Sequence, residues 1–327
     1  MSCSSSSRRR TRRSDTAARL LLLTGSLLLC GIVAELGLRQ WQAQSRAELG
    51  AVGVIHRASE DPELVYELKP GARTRRDGIA IEINADGFRD DPFPGPRRAG
   101  EYRVVAVGDS VTAGWAVAMP EAWPQRLEAL LSKQPPGGAK RVTVLNLGVY
   151  GYATRQELRL LETRGLAYQP DLVILLYHLN DPDAADAGQL RSFRRPTSYL
   201  LHWLRGLRLA PDEREYHSRI HEDHADEIAA DFRRLGELSR NSGVPVLVAV
   251  LPVFEWEPGP DGGYAWADLH RGLERLAGQN GLDFLDLAPR LTAESAASVS
   301  NGIWHPNAHG QALIADELRR WVQASGR

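Results

Sequence analysis

The stretch Val104-Val-Ala-Val-Gly-Asp-Ser-Val-Thr-Ala-Gly114 decides how this chain is read. An apolar run ends abruptly at Gly108-Asp109-Ser110. A buried strand that stops there puts a serine hydroxyl at the carboxyl edge of a sheet, where open α/β sheets bind their ligands. A serine at such a place also serves as a turn residue capping the next helix. Its hydroxyl is a poor nucleophile until a base takes the proton. The rest of the chain must therefore supply a base and donors for an oxyanion.

Working outward, strands and helices alternate. Tyr102–Val107, Val142–Leu147, Asp171–Tyr177, Val244–Leu251 and the weaker Leu282–Leu287 read as strands. Glu121–Lys133, Thr154–Ala167, Ala225–Ser242, Ala265–Asn280 and Asn307–Ala324 carry helical spacing. Strands this uniformly apolar are covered on both faces. The alternation predicts a parallel sheet with helices on both sides. Before it, short segments from Pro62 to Pro96 read as small β elements, with a turn signal at Asp86-Gly87. Between residues 182 and 225 the rhythm breaks where a short connection is usual. That insertion would lie over the site as a cap, or embellish the surface.

The chain has 327 residues, 43% hydrophobic and 25% charged, with a formal net charge of −1. This is globular composition, and nothing in it argues for nucleic acid. The arginines Arg8, Arg9, Arg10, Arg12, Arg13 and Arg19 crowd the N-terminus. They precede the apolar run Leu20–Ala34. An uncleaved anchor over residues 17–38 reaches the ~20 residues a membrane span needs. A signal peptide cut after Ala34 fits the same pattern. Both place the remainder outside the cytoplasm, single-pass and membrane-bound in the first case, secreted or periplasmic in the second. The expected organisation is a basic segment over 1–16, the helix over 17–38, a stalk and β lead-in over 39–100, and the main domain over 101–327. Cys3 and Cys30 are the only cysteines. Neither lies in the main domain, so no disulfide and no thiolate chemistry is expected there.

A serine nucleophile calls for a histidine, whose pKa lies near working pH. His305, in Trp304-His-Pro-Asn-Ala-His-Gly310, sits in a loop just before the last helix. Pro306 suits the first turn of that helix. Two further strand ends offer oxyanion donors: Gly151 in Asn146–Thr154, through its backbone N–H, and Asn180 in Tyr177–Asp181, through its side-chain amide. Each such donor is worth ~10²–10³ in rate. His217, His221 and His224 share one helical face, as a metal set would, but their charged neighbours read as a solvated face. No metal and no cofactor is expected. There is no Gly-x-x-x-x-Gly-Lys-Ser/Thr, which excludes a P-loop, and no Gly-x-Ser-x-Gly, which argues against an α/β-hydrolase.

These four blocks, Gly108-Asp-Ser110, Gly151, Asn180 and His305, resemble the SGNH (GDSL-type) hydrolase superfamily. The likeness runs from about Glu101 to the C-terminus, and Asn84–Arg89 resembles the approach segment of membrane-anchored bacterial members. The resemblance implies a flavodoxin-like three-layer α/β/α fold with a five-stranded parallel sheet. It implies Ser110 as nucleophile and first oxyanion donor, Gly151 and Asn180 as further donors, and His305 as base. One departure matters. The family's usual Asp three residues before the histidine is Gly302 here, with Asn301 one place further off. Asn301 is a possible orienting group for the histidine; a backbone carbonyl, Asp283 or Asp286 are alternatives. The expected function is an extracytoplasmic serine esterase acting on an ester or acylated-glycan substrate. The alternatives are an O-acyltransferase or deacetylase of a surface polysaccharide, and a catalytically silent scaffold that binds a glycan or protein.

Overall fold

The computed structural model describes residue 19 and residues 21–40, 54–182, 198, 200, 213–254 and 263–326. Most of the expected cap insertion, and the start of the expected anchor, lie outside these residues. The chain forms two compact units. One comprises Met1–Glu48 with Arg195–Ala210, and the other comprises the rest.

In the first unit, helix α1 (Leu21–Gln40) has 20 residues and a mean hydropathy of 2.1. At 1.5 Å per residue it is long enough to cross a bilayer core, and a signal sequence has the same character. Its only carboxylate in the last turns, Glu35, pairs with Arg39 at 2.7 Å and accepts from Ser198 Oγ at 3.0 Å and Leu200 N at 2.7 Å.

The second unit is built on a five-stranded sheet of β5 (Glu101–Gly108), β6 (Arg141–Asn146), β7 (Leu172–Tyr177), β8 (Val246–Val250) and β9 (Asp283–Asp286). The order is β6-β5-β7-β8-β9 and every pairing is parallel. This is the doubly wound, flavodoxin-like order, whose ligand crevice opens where the winding reverses beside the first strand. That strand is β5, which ends two residues before Ser110.

Period-2 side-chain alternation divides the strands between two cores. Val105, Val107, Val173, Leu175, Val248 and Val250 point into one core, and Val104, Ala106, Ile174, Leu176, Leu247 and Ala249 into the other. Helices α3 (Thr154–Leu160), α5 (Ala225–Ser242) and α6 (Ala267–Gln279) cover the first face with Leu158, Phe232, Leu235, Leu273 and Ala277. Helices α2 (Trp123–Lys133) and α9 (Ala308–Ser325) cover the second with Trp123, Leu127, Leu131, Ile314 and Leu318. Between α3 and α5 lies α4 (Glu213–Asp223); between β9 and α9 lie the single turns α7 (Ala288–Leu291) and α8 (Ala296–Val299). The helix expected over residues 154–167 is α-helical only to Leu160, then widens into a π turn at Leu161–Gly165 and tightens to a 3₁₀ turn.

Residues 54–100 contribute two hairpins, β1 (His56–Ala58) with β2 (Tyr66–Leu68), and β3 (Arg73–Arg76) with β4 (Ile79–Glu82). The second turns through Asp77-Gly78, both with positive φ, the two-residue type I′ pattern that matches strand twist. These hairpins pack into the first core through Ile55, Tyr66, Leu68, Ile81 and Phe88. Tyr66 OH donates to the Tyr150 carbonyl at 3.0 Å, and Gln156 Nε2 donates to the Leu64 carbonyl at 2.7 Å.

Candidate active site

Ser110 is the second residue past β5. The turn that presents it is held from inside. Asp109 is buried, and its Oδ1 accepts from Val111 N at 2.8 Å. Ala113 N donates to the Asp109 carbonyl at 3.0 Å and Trp115 N to the Ser110 carbonyl at 2.9 Å. Burial raises the Asp109 carboxyl to about 6, against hydrogen bonds from Val111 and Ser110 that lower it. The neighbouring strand end is pinned to this turn. Asn146 Nδ2 donates to the Thr112 carbonyl at 2.9 Å, and its Oδ1 accepts from Gly148 N at 2.9 Å. Gly148 admits no side chain, because a Cβ there would lie 2.3 Å from Ala113 N.

Arg89 secures the other side. It is 1% exposed. Its guanidinium donates to the carbonyls of Ala113 at 3.1 Å, Val117 at 2.8 Å and Ala80 at 3.2 Å, and to that of Gly114. A buried cation needs partners for its donors, and here carbonyls of the nucleophile loop and of β4 serve both terminal nitrogens, while Nε has no partner among the described residues.

His305 arrives from the opposite end of the chain. Its Nε2 lies 2.9 Å from Ser110 Oγ. Asn307 caps α9, its Oδ1 accepting from His309 N at 2.9 Å and Gly310 N at 3.0 Å. Pro306 therefore precedes the cap instead of occupying the first helical turn; it bridges to Ser300. One turn into α9, buried Gln311 accepts from Trp123 N at 2.8 Å and donates to the Val111 carbonyl at 3.3 Å. That side chain sets the distance between the base's helix and the serine's turn.

Burial, then His178 and Arg76, push the His305 imidazole down to about 3. It is neutral at ordinary pH and carries a free lone pair for the serine proton. No carboxylate among the described residues hydrogen-bonds to it. Asn301 is exposed and meets His305 through the backbone, its N–H donating to the His305 carbonyl at 2.9 Å. Asp286 is engaged elsewhere, 2.7 Å from His270 Nδ1 and 2.8 Å from Ala288 N. Asp283 begins strand β9 and makes no hydrogen bond to His305. Aromatic rings occupy the space beside the base. The Trp115 ring centroid is 5.5 Å from that of His305, and the Arg76 guanidinium carbon lies 3.6 Å from the Trp115 centroid.

The two other candidate donors follow β6 and β7. Gly151 has φ 76, a conformation open to glycine, and its N–H meets no acceptor among the described residues. Asn180 is half-buried, and its Oδ1 lies against His178 Nδ1. Thr154 Oγ1 ties the loops together through Asp181 Oδ2 at 3.2 Å, an oxygen that also accepts from His178 N at 3.1 Å. Burial raises Asp181 and Glu157 well above the usual carboxylate range, and Asp181 raises Glu157 further.

This arrangement coincides with a known family. The model of the GDSL-like lipase/acylhydrolase family matches residues 106–313. The chain belongs to that family. As a GDSL-like hydrolase it is a serine ester hydrolase. Solved structures similar to it include an acetylxylan esterase, Axe2, from Geobacillus stearothermophilus, at 17% identity and TM-score 0.46, covering 68% of this chain and 94% of that one. TesA matches at 16% identity and TM-score 0.46, covering 68% and 98%. A two-domain esterase active on acetylated mannans matches at 16% and 0.46, covering 70% of this chain and 50% of that one. No curated protein matches.

This GDSL-like hydrolase brings Ser110 and His305 into contact, and no carboxylate among the described residues bonds the imidazole. Two features of its site were not read from the sequence. Arg76 reaches the site from a hairpin, and the Asp77-Gly78 turn that delivers it was a legible signal. The His217–His224 face is not solvated. His217 and His221 are buried, bonded to the Leu179 carbonyl at 3.2 Å and to Tyr177 OH at 3.2 Å respectively, and only His224 stays outside, 3.2 Å from Glu227. Among the described residues no group of three metal-ligating side chains forms.

Proposed function

We propose that this GDSL-like hydrolase is an extracytoplasmic esterase that cleaves carboxylic esters through an acyl-Ser110 intermediate. The observation that carries the reading is the 2.9 Å contact between Ser110 Oγ and a neutral His305 Nε2. Ser110 attacks the ester carbonyl as His305 takes its proton. The oxyanion accepts from the N–H groups of Ser110 and Gly151 and from the Asn180 amide. His305 then passes its proton to the leaving alcohol, and the C–O bond breaks. Water repeats the cycle, its proton going to His305 and the acyl group leaving Ser110 as a carboxylic acid. No carboxylate among the described residues balances the imidazolium in either half, so the donors facing the oxyanion carry more of the stabilisation. The arginine-rich N-terminus before α1 supports retention at the membrane with the hydrolase outside.

The test is a burst assay on the full chain in detergent with p-nitrophenyl acetate. A stoichiometric p-nitrophenol burst that vanishes in Ser110→Ala supports the reading. An undiminished burst in that variant overturns it. Burst decay accelerated by added sugar hydroxyls would instead mark an acyltransferase on the same serine.

A further inference from the structure

Behind Asn180 stands His178, a buried imidazole that touches none of the reacting atoms. Its Nδ1 lies against Asn180 Oδ1. An amide oxygen only accepts, so this pair is a hydrogen bond in the tautomer whose Nδ1 carries the hydrogen. In the other tautomer Nδ1 instead accepts from the Asn180 backbone N–H, the longer contact at 3.3 Å. With Oδ1 occupied, the asparagine NH₂ is the end left to the oxyanion. The other ring nitrogen, Nε2, is buried and has no partner among the described residues. A buried polar atom left unpaired works against the fold, so stability alone does not account for this histidine. Its ring is held in plane by Trp304, stacked at 5.8 Å and 18°, and by His217, edge-on at 6.5 Å. Trp304 is also the residue that precedes the base His305.

We propose that His178 is a positioning residue. Its Nδ1–H fixes the Asn180 amide so that the NH₂ faces the oxyanion, and its stack on Trp304 links that donor to the loop carrying the base. With no acid bonded to the base among the described residues, rate then depends on how firmly this donor is oriented before the reaction. The inference rests on the acyl-serine reading, and specifically on Asn180 as an oxyanion donor.

Three substitutions in the full-length protein separate the possibilities. His178→Phe keeps a ring for Trp304 and removes the donor. His178→Asn removes the ring and keeps an N–H near the Nδ1 position. Asn180→Ala removes the group acted upon. Orientation is worth up to ~10² in rate, so His178→Phe should lower kcat for p-nitrophenyl acetate by ~10- to 100-fold with KM nearly unchanged, and His178→Asn should recover most of that loss. In the Asn180→Ala background, His178→Phe should cost less than about threefold more, because residues that act as one unit are not additive. A His178→Phe enzyme as active as wild type, or one whose loss adds in full to that of Asn180→Ala, overturns the proposal. So does a His178→Asn enzyme worse than His178→Phe, which would make the ring stack, and not the donor, the point. If Asn180→Ala itself leaves kcat intact, Asn180 is no donor and the inference falls alone. Only a burst surviving in Ser110→Ala removes the acyl-serine reading as well.

Discussion

The nucleophile turn and the base loop meet at one hydrogen bond, yet they are held in different ways. The nucleophile turn is fixed by hydrogen bonds on every side: Asp109 to Val111, Asn146 to Thr112, and Arg89 to the carbonyls of Ala113, Gly114 and Val117. Behind the base loop's histidine no acid stands among the described residues. Its placement comes from the Asn307 cap, the Gln311 link to Trp123 and Val111, and the rings of Trp115 and Trp304. The contrast teaches that orientation and charge compensation, joined in one carboxylate in the usual triad, are separable. Here packing and capping orient the imidazole, and no carboxylate among the described residues compensates its charge.

Breaking either side tests the comparison. Replacing the base itself, His305→Ala, should lower kcat/KM by ~10³-fold or more, measured with p-nitrophenyl acetate; a loss under tenfold would mean another group takes the serine proton. On the nucleophile side, Arg89→Met should act mainly on stability. It leaves buried carbonyls without a donor, for a destabilisation of about 3 kcal/mol, read from urea unfolding. A variant as stable as wild type would show that the turn holds itself.

The pH profile sharpens the contrast further. His305 must be neutral to act, so activity falls as pH drops through its pKa, which burial, His178 and Arg76 lower to about 3. The acid limb of kcat/KM, which reports the free enzyme, should therefore lie well below the ordinary histidine value of ~6.5. Arg76→Gln removes a positive charge near the ring, which eases protonation and moves that limb to higher pH. A limb near 6.5 in wild type, unmoved in Arg76→Gln, would contradict a buried neutral base. The smallest effect expected is from Asn301→Asp. That side chain is exposed and does not bond the imidazole, so restoring a carboxylate there should change kcat/KM by less than about threefold. A large gain would show that position 301 reaches the base after all.

What was legible in the sequence follows the same division. β5, β7 and β8 are buried on both faces, so their apolar runs announce a covered parallel sheet, and Ser110, Gly151, Asn180 and His305 stand at its edge by chain order alone. The base loop's supports were hidden because they are long-range. Gln311 meets Val111 across the domain, and Trp304 meets His178 across two strand ends. His217 and His221 were misread because Glu222 and Asp223 beside them are charged; helical spacing puts those carboxylates outside while the two histidines face Leu179 and Tyr177. Arg76 and Arg89 look like surface cations in the sequence. Only the hairpin's return onto the nucleophile loop turns them inward.

The most direct measurement of the central claim, that His305 activates Ser110, is the rate and location of fluorophosphonate labelling in the full-length protein. The account predicts a single adduct on the peptide containing Ser110, formed ~10²-fold or more slower in His305→Ala, since general-base assistance is worth about that much. Labelling at another residue, or at Ser110 with the same rate in both proteins, would contradict it.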